Sequence, residues 1–238
     1  MSNKGLFAAL ERFLYARNAA VVGCADLGVL PAENRAGLPK GVCIGVGLTP
    51  SIVAGIAGGP TKAYGGEYDR ANALLQRLGE DCAAYLRERG FRAVSCEPTV
   101  EVRDYKTLST LLPHKTVATR AGIGWIGKCA LLVSKTHGSA VRYNTVLTDA
   151  PLPAGTPVLE PSCGDCSACV DACPAHAPSG RDWRPELQRE DFFDAFACRD
   201  ASRRQARESG LDHTICGICI AACPFTRRHL AGSGCPVE

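Results

Sequence analysis

The chain has 238 residues, of which 46% are hydrophobic and 21% charged, so it is not a disordered protein and has room for one ordinary domain plus a smaller one. Its mild formal net charge of +3 does not favour a general polyanion-binding surface. No stretch reaches the ~18 apolar residues that a membrane span requires.

The first 150 residues predict a domain of mixed helices and strands. Leu6, Leu10 and Leu14 recur at helical spacing, and Leu74 and Leu78 begin the stripe of a second helix. Between these helices we expect a glycine-rich loop over 55–66. Short apolar runs typical of buried strands lie at 19–25, 41–48, 91–96, 130–134 and 141–149. The pattern favours the α+β class.

A proline-rich stretch at 150–162 predicts a domain boundary. We expect a cofactor-binding domain over residues 1–150 and a small cysteine-dense domain over residues 151–238. The second domain has few long apolar runs, so its order must come partly from bound metal.

The chain contains 14 cysteines, a number also found in secreted disulfide scaffolds. The first residues do not support secretion, because Glu11, Arg12 and Arg17 interrupt what would be the apolar core of a signal peptide. We therefore expect a reducing compartment, the cytoplasm, where clustered cysteines indicate metal or redox chemistry.

The first cysteine motif is the C-x₂-C-x₂-C-x₃-C-P run of bacterial ferredoxins, formed by Cys163, Cys166, Cys169, Cys173 and Pro174. Two-residue gaps allow one tight loop to supply three corners of a [4Fe–4S] cube. The fourth cysteine of such a run ligates the other cluster of the pair.

The second motif, Cys216-x₂-Cys219-x₃-Cys223, has His213 where the first cysteine is usually found, and Cys198 is the obvious replacement. Ferredoxin ligation then predicts two [4Fe–4S] clusters. The ligands of the first are Cys163, Cys166, Cys169 and Cys223, and the ligands of the second are Cys173, Cys198, Cys216 and Cys219.

Structural zinc is the alternative, but the two C-x₂-C pairs are much further apart than the ~15–20 residues usual for zinc. Two oxidised clusters with their thiolates carry about −2 each, which brings the loaded chain close to neutrality. Of the six remaining cysteines only Cys129, which follows a glycine motif, is kept as a functional candidate; the others are expected to be inert.

That motif, RAGIGWIGK at residues 120–128, contains the G-x-G-x-x-G pattern of dinucleotide-binding loops. The context argues against a dinucleotide, because such a loop follows a strand and opens a helix, whereas a strand-like run follows here. The glycines instead predict a tight turn, or the close approach of the backbone to a large flat group.

The glycine motif, the run VLTDAPLP and the two cysteine motifs together resemble epoxyqueuosine reductases from about residue 20 to residue 230. Reductive dehalogenases are similar in the same glycine motif and cluster pair. The resemblance implies a nitroreductase-like N-terminal domain that holds cobalamin, followed by a ferredoxin-like double-cluster domain. It places Arg120, Gly122, Gly124, Trp125, Gly127 and Lys128 along the corrin.

Two departures from the family make tRNA an unexpected partner. Leu108 stands where the family has a catalytic Asp, and the nearest preceding carboxylate is Asp104. The sequence also ends at Glu238 without the helical-repeat extension by which the family helps to hold tRNA. No catalytic residue is assigned.

Three functions remain open. The first is an oxidoreductase in which the clusters relay single electrons to a cofactor, a corrinoid, with a ferredoxin or flavodoxin as electron donor. The second is a non-enzymatic electron carrier or corrinoid reductant for a partner, and the third is a shortened epoxyqueuosine reductase acting on tRNA. His114 and His137 flank the motif as candidate cobalt ligands or proton carriers, against ordinary hydrogen-bonded roles.

Overall fold

The computed structural model describes residues 2–99 and 106–235. The chain divides into two compact units, each built from three segments. The first unit is Met1–Gly47, Ala71–Ile123 and Arg142–Val158, and the second is Leu48–Arg70, Gly124–Val141 and Leu159–Glu238. The division at residue 150 stays a prediction. Within the described ranges there is no helix with the length and apolar character needed to cross a membrane.

Helices and short strands alternate along the chain, which confirms the α+β class. The strands are β1 (Val21–Asp26), β2 (Lys40–Gly47), β3 (Ala93–Ser95), β4 (Trp125–Ile126), β5 (Leu132–Val133) and β6 (Val141–Thr148). The helices are α1 (Asn3–Tyr15), α2 (Pro50–Ala54), α3 (Lys62–Arg87), α4 (His114–Arg120), α5 (Ala168–Asp171), α6 (Ala195–Glu208), α7 (Ile218–Ala222) and α8 (Pro224–Gly232).

The first unit is organised by a four-stranded sheet in the order β1-β2-β6-β3. β1 pairs antiparallel with β2, from Val21 opposite Gly45 to Asp26 opposite Lys40, and β3 pairs antiparallel with β6. Strand β2 reads as an apolar run because six of its eight residues are buried. The predicted strands at 19–25, 41–48, 91–96 and 141–149 are therefore confirmed, with ends displaced by a few residues.

The helices of the first unit follow the leucine periodicity of the sequence. In α1, Leu6, Leu10 and Leu14 are buried, and the Ser2 side chain accepts a hydrogen bond from the backbone N–H of Gly5 at 3.2 Å. On β6 the buried side chain of Asn144 donates to the carbonyl of Leu75 in α3 at 3.2 Å. This bond satisfies a buried amide and fixes that part of α3 beside the sheet.

The second unit consists of short helices, long connections and the β4–β5 hairpin, in which Trp125 lies opposite Val133. The expectation of a loop over 55–66 is partly wrong, because α3 begins at Lys62 and includes Gly65. Glycine at position 65 is explained by close packing and not by a turn, since a Cβ atom there would lie 2.6 Å from the side chain of Leu211. The tendency of glycine to form loops depends on nearby sequence and gives no information about this contact.

Candidate metal centre

Four thiols from the two cysteine motifs line one cavity of about 110 Å³ in the second unit. Cys163, Cys166 and Cys169 come from the first motif and Cys223 from the second. Cys169 is on α5, and Cys223 immediately precedes Pro224, the first residue of α8. The structure thus brings together the four cysteines that the sequence assigns to the first cluster, three from the first motif and one from the second. Four thiols around one cavity are the donor set that a four-iron cluster requires.

Three cysteines of the second predicted set are also neighbours. Cys198 lies on the first turn of α6, whose start is capped by Asp194 through hydrogen bonds from the backbone N–H groups of Phe196 and Ala197. Burial, and to a smaller extent the nearby thiols of Cys173 and Cys216, raise the pKa of Cys198.

The fourth predicted ligand of this set, Cys219, lies on α7. Cys129 is 5% exposed and lines the first cavity together with the four thiols there. The residue kept as a weak candidate from the sequence is therefore a fifth thiol beside the cluster site. Cys24, Cys43 and Cys82 are buried, as small apolar side chains.

The glycine motif contacts the first cysteine motif directly. The indole Nε1–H of Trp125 donates to Sγ of Cys163 at 3.3 Å. The ammonium of Lys128, which is 8% exposed, donates to the carbonyls of Gly164 at 2.8 Å and Cys166 at 3.1 Å. A buried ammonium bonded to two carbonyls holds the loop between the first two cysteines in place. Motif spacing gives no sign of this contact.

The glycines of the motif are accounted for by close packing within the chain itself. In the first unit, Gly122 has a φ of +79°, and a Cβ there would lie 2.8 Å from the carbonyl oxygen of Thr156. In the second unit, a side chain on Gly124 would collide with the carbonyl of Val133, and one on Gly127 would lie 2.9 Å from the Val133 side chain. The expectation of a close backbone approach is met, but by the protein itself.

The six residues that the resemblance places along the corrin do not form one described group. Arg120, at the end of α4, and Gly122 belong to the first unit, whereas Gly124, Trp125, Gly127 and Lys128 belong to the second. Trp125 and Lys128 direct their polar atoms to the cysteine loop. The role toward a corrin that the resemblance implies for these six residues stays a prediction.

The flanking histidines have hydrogen-bond partners. The ring nitrogens of His114 bond with the Thr145 hydroxyl and the Glu97 carbonyl, both at 2.9 Å. Burial lowers the pKa of His114, and the positive charge of Arg142 lowers it further. His137 bonds with the neighbouring Thr136 hydroxyl at 2.9 Å.

Leu108, at the position where the resemblance implies a catalytic Asp, has a left-handed backbone φ of +51°. The nearest preceding carboxylate, Asp104, lies outside the described residues. In residues 2–99 and 106–235 no three His, Cys, Asp or Glu side chains are grouped for a single metal ion. The cluster assignment therefore depends on the motif spacing, the thiol-lined cavity and the following comparison.

A family described as a 4Fe-4S double cluster binding domain matches residues 162–226. This range includes all eight predicted ligands. The chain is therefore an iron–sulfur protein with a double [4Fe–4S] domain, and the prediction of two clusters is confirmed.

Within that class the chain is similar to epoxyqueuosine reductases, which confirms the predicted resemblance. It is 32% identical over 209 residues to the epoxyqueuosine reductase of Synechococcus sp. (strain CC9605), covering 81% of this chain and 58% of that protein. It is also 32% identical over 208 residues to the Pseudomonas aeruginosa enzyme, covering 83% of this chain and 54% of the other. The chain thus spans little more than half the length of these relatives.

Solved structures show the same fold. A catabolic reductive dehalogenase in complex with 3-bromo-4-hydroxybenzoic acid aligns with a TM-score of 0.69 at 20% identity, covering 92% of this chain and 31% of that one. An epoxyqueuosine reductase with an epoxyqueuosine-modified tRNA-Tyr stem loop aligns with a TM-score of 0.61 at 18% identity, covering 94% of this chain and 66% of the other. The nitroreductase-like character of the N-terminal part remains an expectation.

Proposed function

We propose that the protein is an iron–sulfur oxidoreductase of the epoxyqueuosine reductase type, whose two clusters supply single electrons to a bound cofactor. The observation that carries this proposal is the contact between the glycine motif and the first cysteine loop. Trp125 and Lys128 reach Cys163, Gly164 and Cys166 directly, so the motif on which the resemblance to the reductases depends is part of the wall of the predicted first cluster site.

A corrinoid is the cofactor that we propose, and when bound it would supply a strongly reducing metal centre for the substrate. Its support is the likeness of fold to a reductive dehalogenase described as B12-dependent, which aligns with a TM-score of 0.68 at 19% identity. The motif glycines do not add to this support, because Gly122, Gly124 and Gly127 are accounted for by packing within the chain.

For the substrate we propose epoxyqueuosine in tRNA. The support is the name that the relatives at 32% identity share, and the tRNA stem loop in one structural neighbour. We give this more weight than the expectation against tRNA, which depended on Leu108 and on where the sequence ends. A proton donor other than the residue at position 108 is then needed.

A second candidate is an electron carrier or corrinoid reductant that serves a partner protein. Leu108 favours it, because an aliphatic side chain cannot transfer a proton to a substrate. For either function we propose a ferredoxin or flavodoxin as donor. Arg204 and Arg207 are exposed on α6, which also carries the predicted ligand Cys198, and they would attract an acidic partner to that cluster.

We propose the cytoplasm as the compartment. All fourteen cysteines lie within the described residues as free thiols, which suits a reducing environment.

The test is anaerobic reconstitution with iron and sulfide, in the presence and absence of hydroxocobalamin, followed by reaction with an epoxyqueuosine-containing tRNA stem loop and dithionite. The proposal expects cobalt to co-purify and queuosine to form. Cys198→Ala is the control, and we expect it to lose turnover. Corrinoid binding without queuosine formation would refute the proposed substrate. Full iron content with neither corrinoid binding nor turnover would favour the carrier.

A further inference from the structure

The indole of Trp125 is held in one place beside the first cluster motif. Trp125 is 2% exposed, and its backbone belongs to the β4–β5 hairpin opposite Val133. Its ring meets that of Phe225 edge to face, with centroids 4.9 Å apart and planes at 75°. Because Phe225 follows Cys223 by two residues, one predicted ligand segment fixes the ring and another, at Cys163, receives its N–H.

The contact with Cys163 is a hydrogen bond to a sulfur that is predicted to bind iron. The Nε1 to Sγ distance is 3.3 Å, and the indole N–H is a donor only. A buried Trp N–H normally finds a partner, and here the partner is a thiol that becomes a thiolate when it ligates metal. Hydrogen bonds to cluster sulfurs are among the features that set cluster potentials.

We propose that Trp125 is a positioning residue that raises the reduction potential of the first cluster through its N–H to Cys163. Reduction adds one electron to a cluster that is already negative, so a fixed donor stabilises the reduced state more than the oxidised state. The low dielectric around a buried indole strengthens this difference. The inference depends on the double-cluster domain and on neither the corrinoid nor the tRNA part of the proposed function.

Lys128 is a separate influence on the same loop. Its ammonium bonds to carbonyl oxygens and not to sulfur, so its contribution is loop position and a diffuse positive charge. Trp125 is neutral and acts at one sulfur atom. A substitution that removes the indole N–H and keeps an aromatic ring therefore tests the proposed effect.

The first experiment is a redox titration of reconstituted Trp125→Phe, monitored by electron paramagnetic resonance. Phe keeps an aromatic ring against Phe225 and removes the donor. The chain has only two tryptophans, so Trp183→Phe, which removes an indole packed against Ile126 and Phe192, is the matched control. We expect Trp125→Phe to lower the potential of one cluster and leave the other, and Trp183→Phe to change neither. An unchanged or higher potential in Trp125→Phe with full iron content would overturn the proposal.

If Trp125→Phe loses iron, a second measurement tests the contact between the Trp125 indole and the first cluster directly. In Trp183→Phe, isotope labelling of the indole nitrogen marks Trp125 alone. Pulsed electron paramagnetic resonance of the reduced protein should show a coupling between that nitrogen and one cluster, and its absence would refute the contact. Neither measurement uses corrinoid or tRNA, so a failed turnover assay leaves this inference intact. In the same way, an unchanged cluster potential in Trp125→Phe leaves the proposed function intact.

Discussion

Removal of Cys173 should damage the second cluster, although Cys173 belongs to the first motif. The structure places Cys223, and not Cys173, in the cavity with Cys163, Cys166 and Cys169. The thiol of Cys173 is instead close enough to Cys198 to affect its pKa. Crossed ligation therefore assigns Cys173 to the cluster held mainly by the other motif.

The magnitude follows from counting iron. Two intact clusters hold about eight iron ions, so loss of one leaves about four. Cys198→Ala and Cys163→Ala should each lose one cluster and retain about four iron ions. The combination Cys173→Ala with Cys198→Ala should still hold about four, because both changes affect the same cluster. The combination Cys173→Ala with Cys163→Ala should hold almost none, because it affects both.

Iron and sulfide analysis of anaerobically reconstituted variants, with the visible spectrum as a second readout, is sufficient for this test. Ligation of each cluster by a single motif gives the opposite pattern. Cys173→Ala with Cys163→Ala would then keep about four iron ions, and Cys173→Ala with Cys198→Ala almost none. That pattern would refute the ligand division, and zinc in stoichiometric amounts in the unaltered protein would refute the clusters themselves.

Three further predictions concern the surroundings of the site and the first unit. Lys128→Met removes two hydrogen bonds from a buried ammonium, so it should destabilise the first cysteine loop by about 3 kcal/mol and speed the loss of iron to a chelator. The exposed Lys135→Met is the control, and equal rates of iron loss in the two variants would contradict this role of Lys128. Cys129→Ala should retain about eight iron ions, since Cys129 lies outside both motifs; a fall to about four would make it a ligand. His114 has a lowered pKa in the folded state, so its stabilising contribution is complete above the unfolded pKa of about 6.5 and is lost as the pH falls below it. Urea unfolding at about pH 7.5 and about pH 5.5 should show this loss in the unaltered protein and a smaller one in His114→Gln; an equal loss would exclude His114 as its source.

Local sequence was enough to predict the double-cluster domain and most of the sheet. The strands β1, β2, β3 and β6 were predictable because each coincides with a short apolar run, and such a run indicates a buried strand. The start of α3 was not predictable, because the glycines suggest a loop, whereas Gly65 lies in a helix and leaves room for the side chain of Leu211, far away in the chain. Such a contact leaves no periodic trace.

The glycine motif is a second case in which local sequence predicted a feature but not its cause. Its pattern predicted a backbone that approaches something closely, and in the second unit the carbonyl of Val133 fills the space beside Gly124. Pattern alone does not distinguish a cofactor from a neighbouring strand, because both exclude a side chain for the same steric reason.

Cysteine type and spacing are enough to specify two four-iron clusters, since the gaps between ligands limit which cluster a loop can surround. The surroundings of the cluster sites, in contrast, depend on the folded chain. Trp125 and Lys128 meet the loop at Cys163 because folding brings together segments that are more than thirty residues apart. Local spacing constrains the ligands of one loop, whereas a contact between distant segments depends on how the whole chain packs.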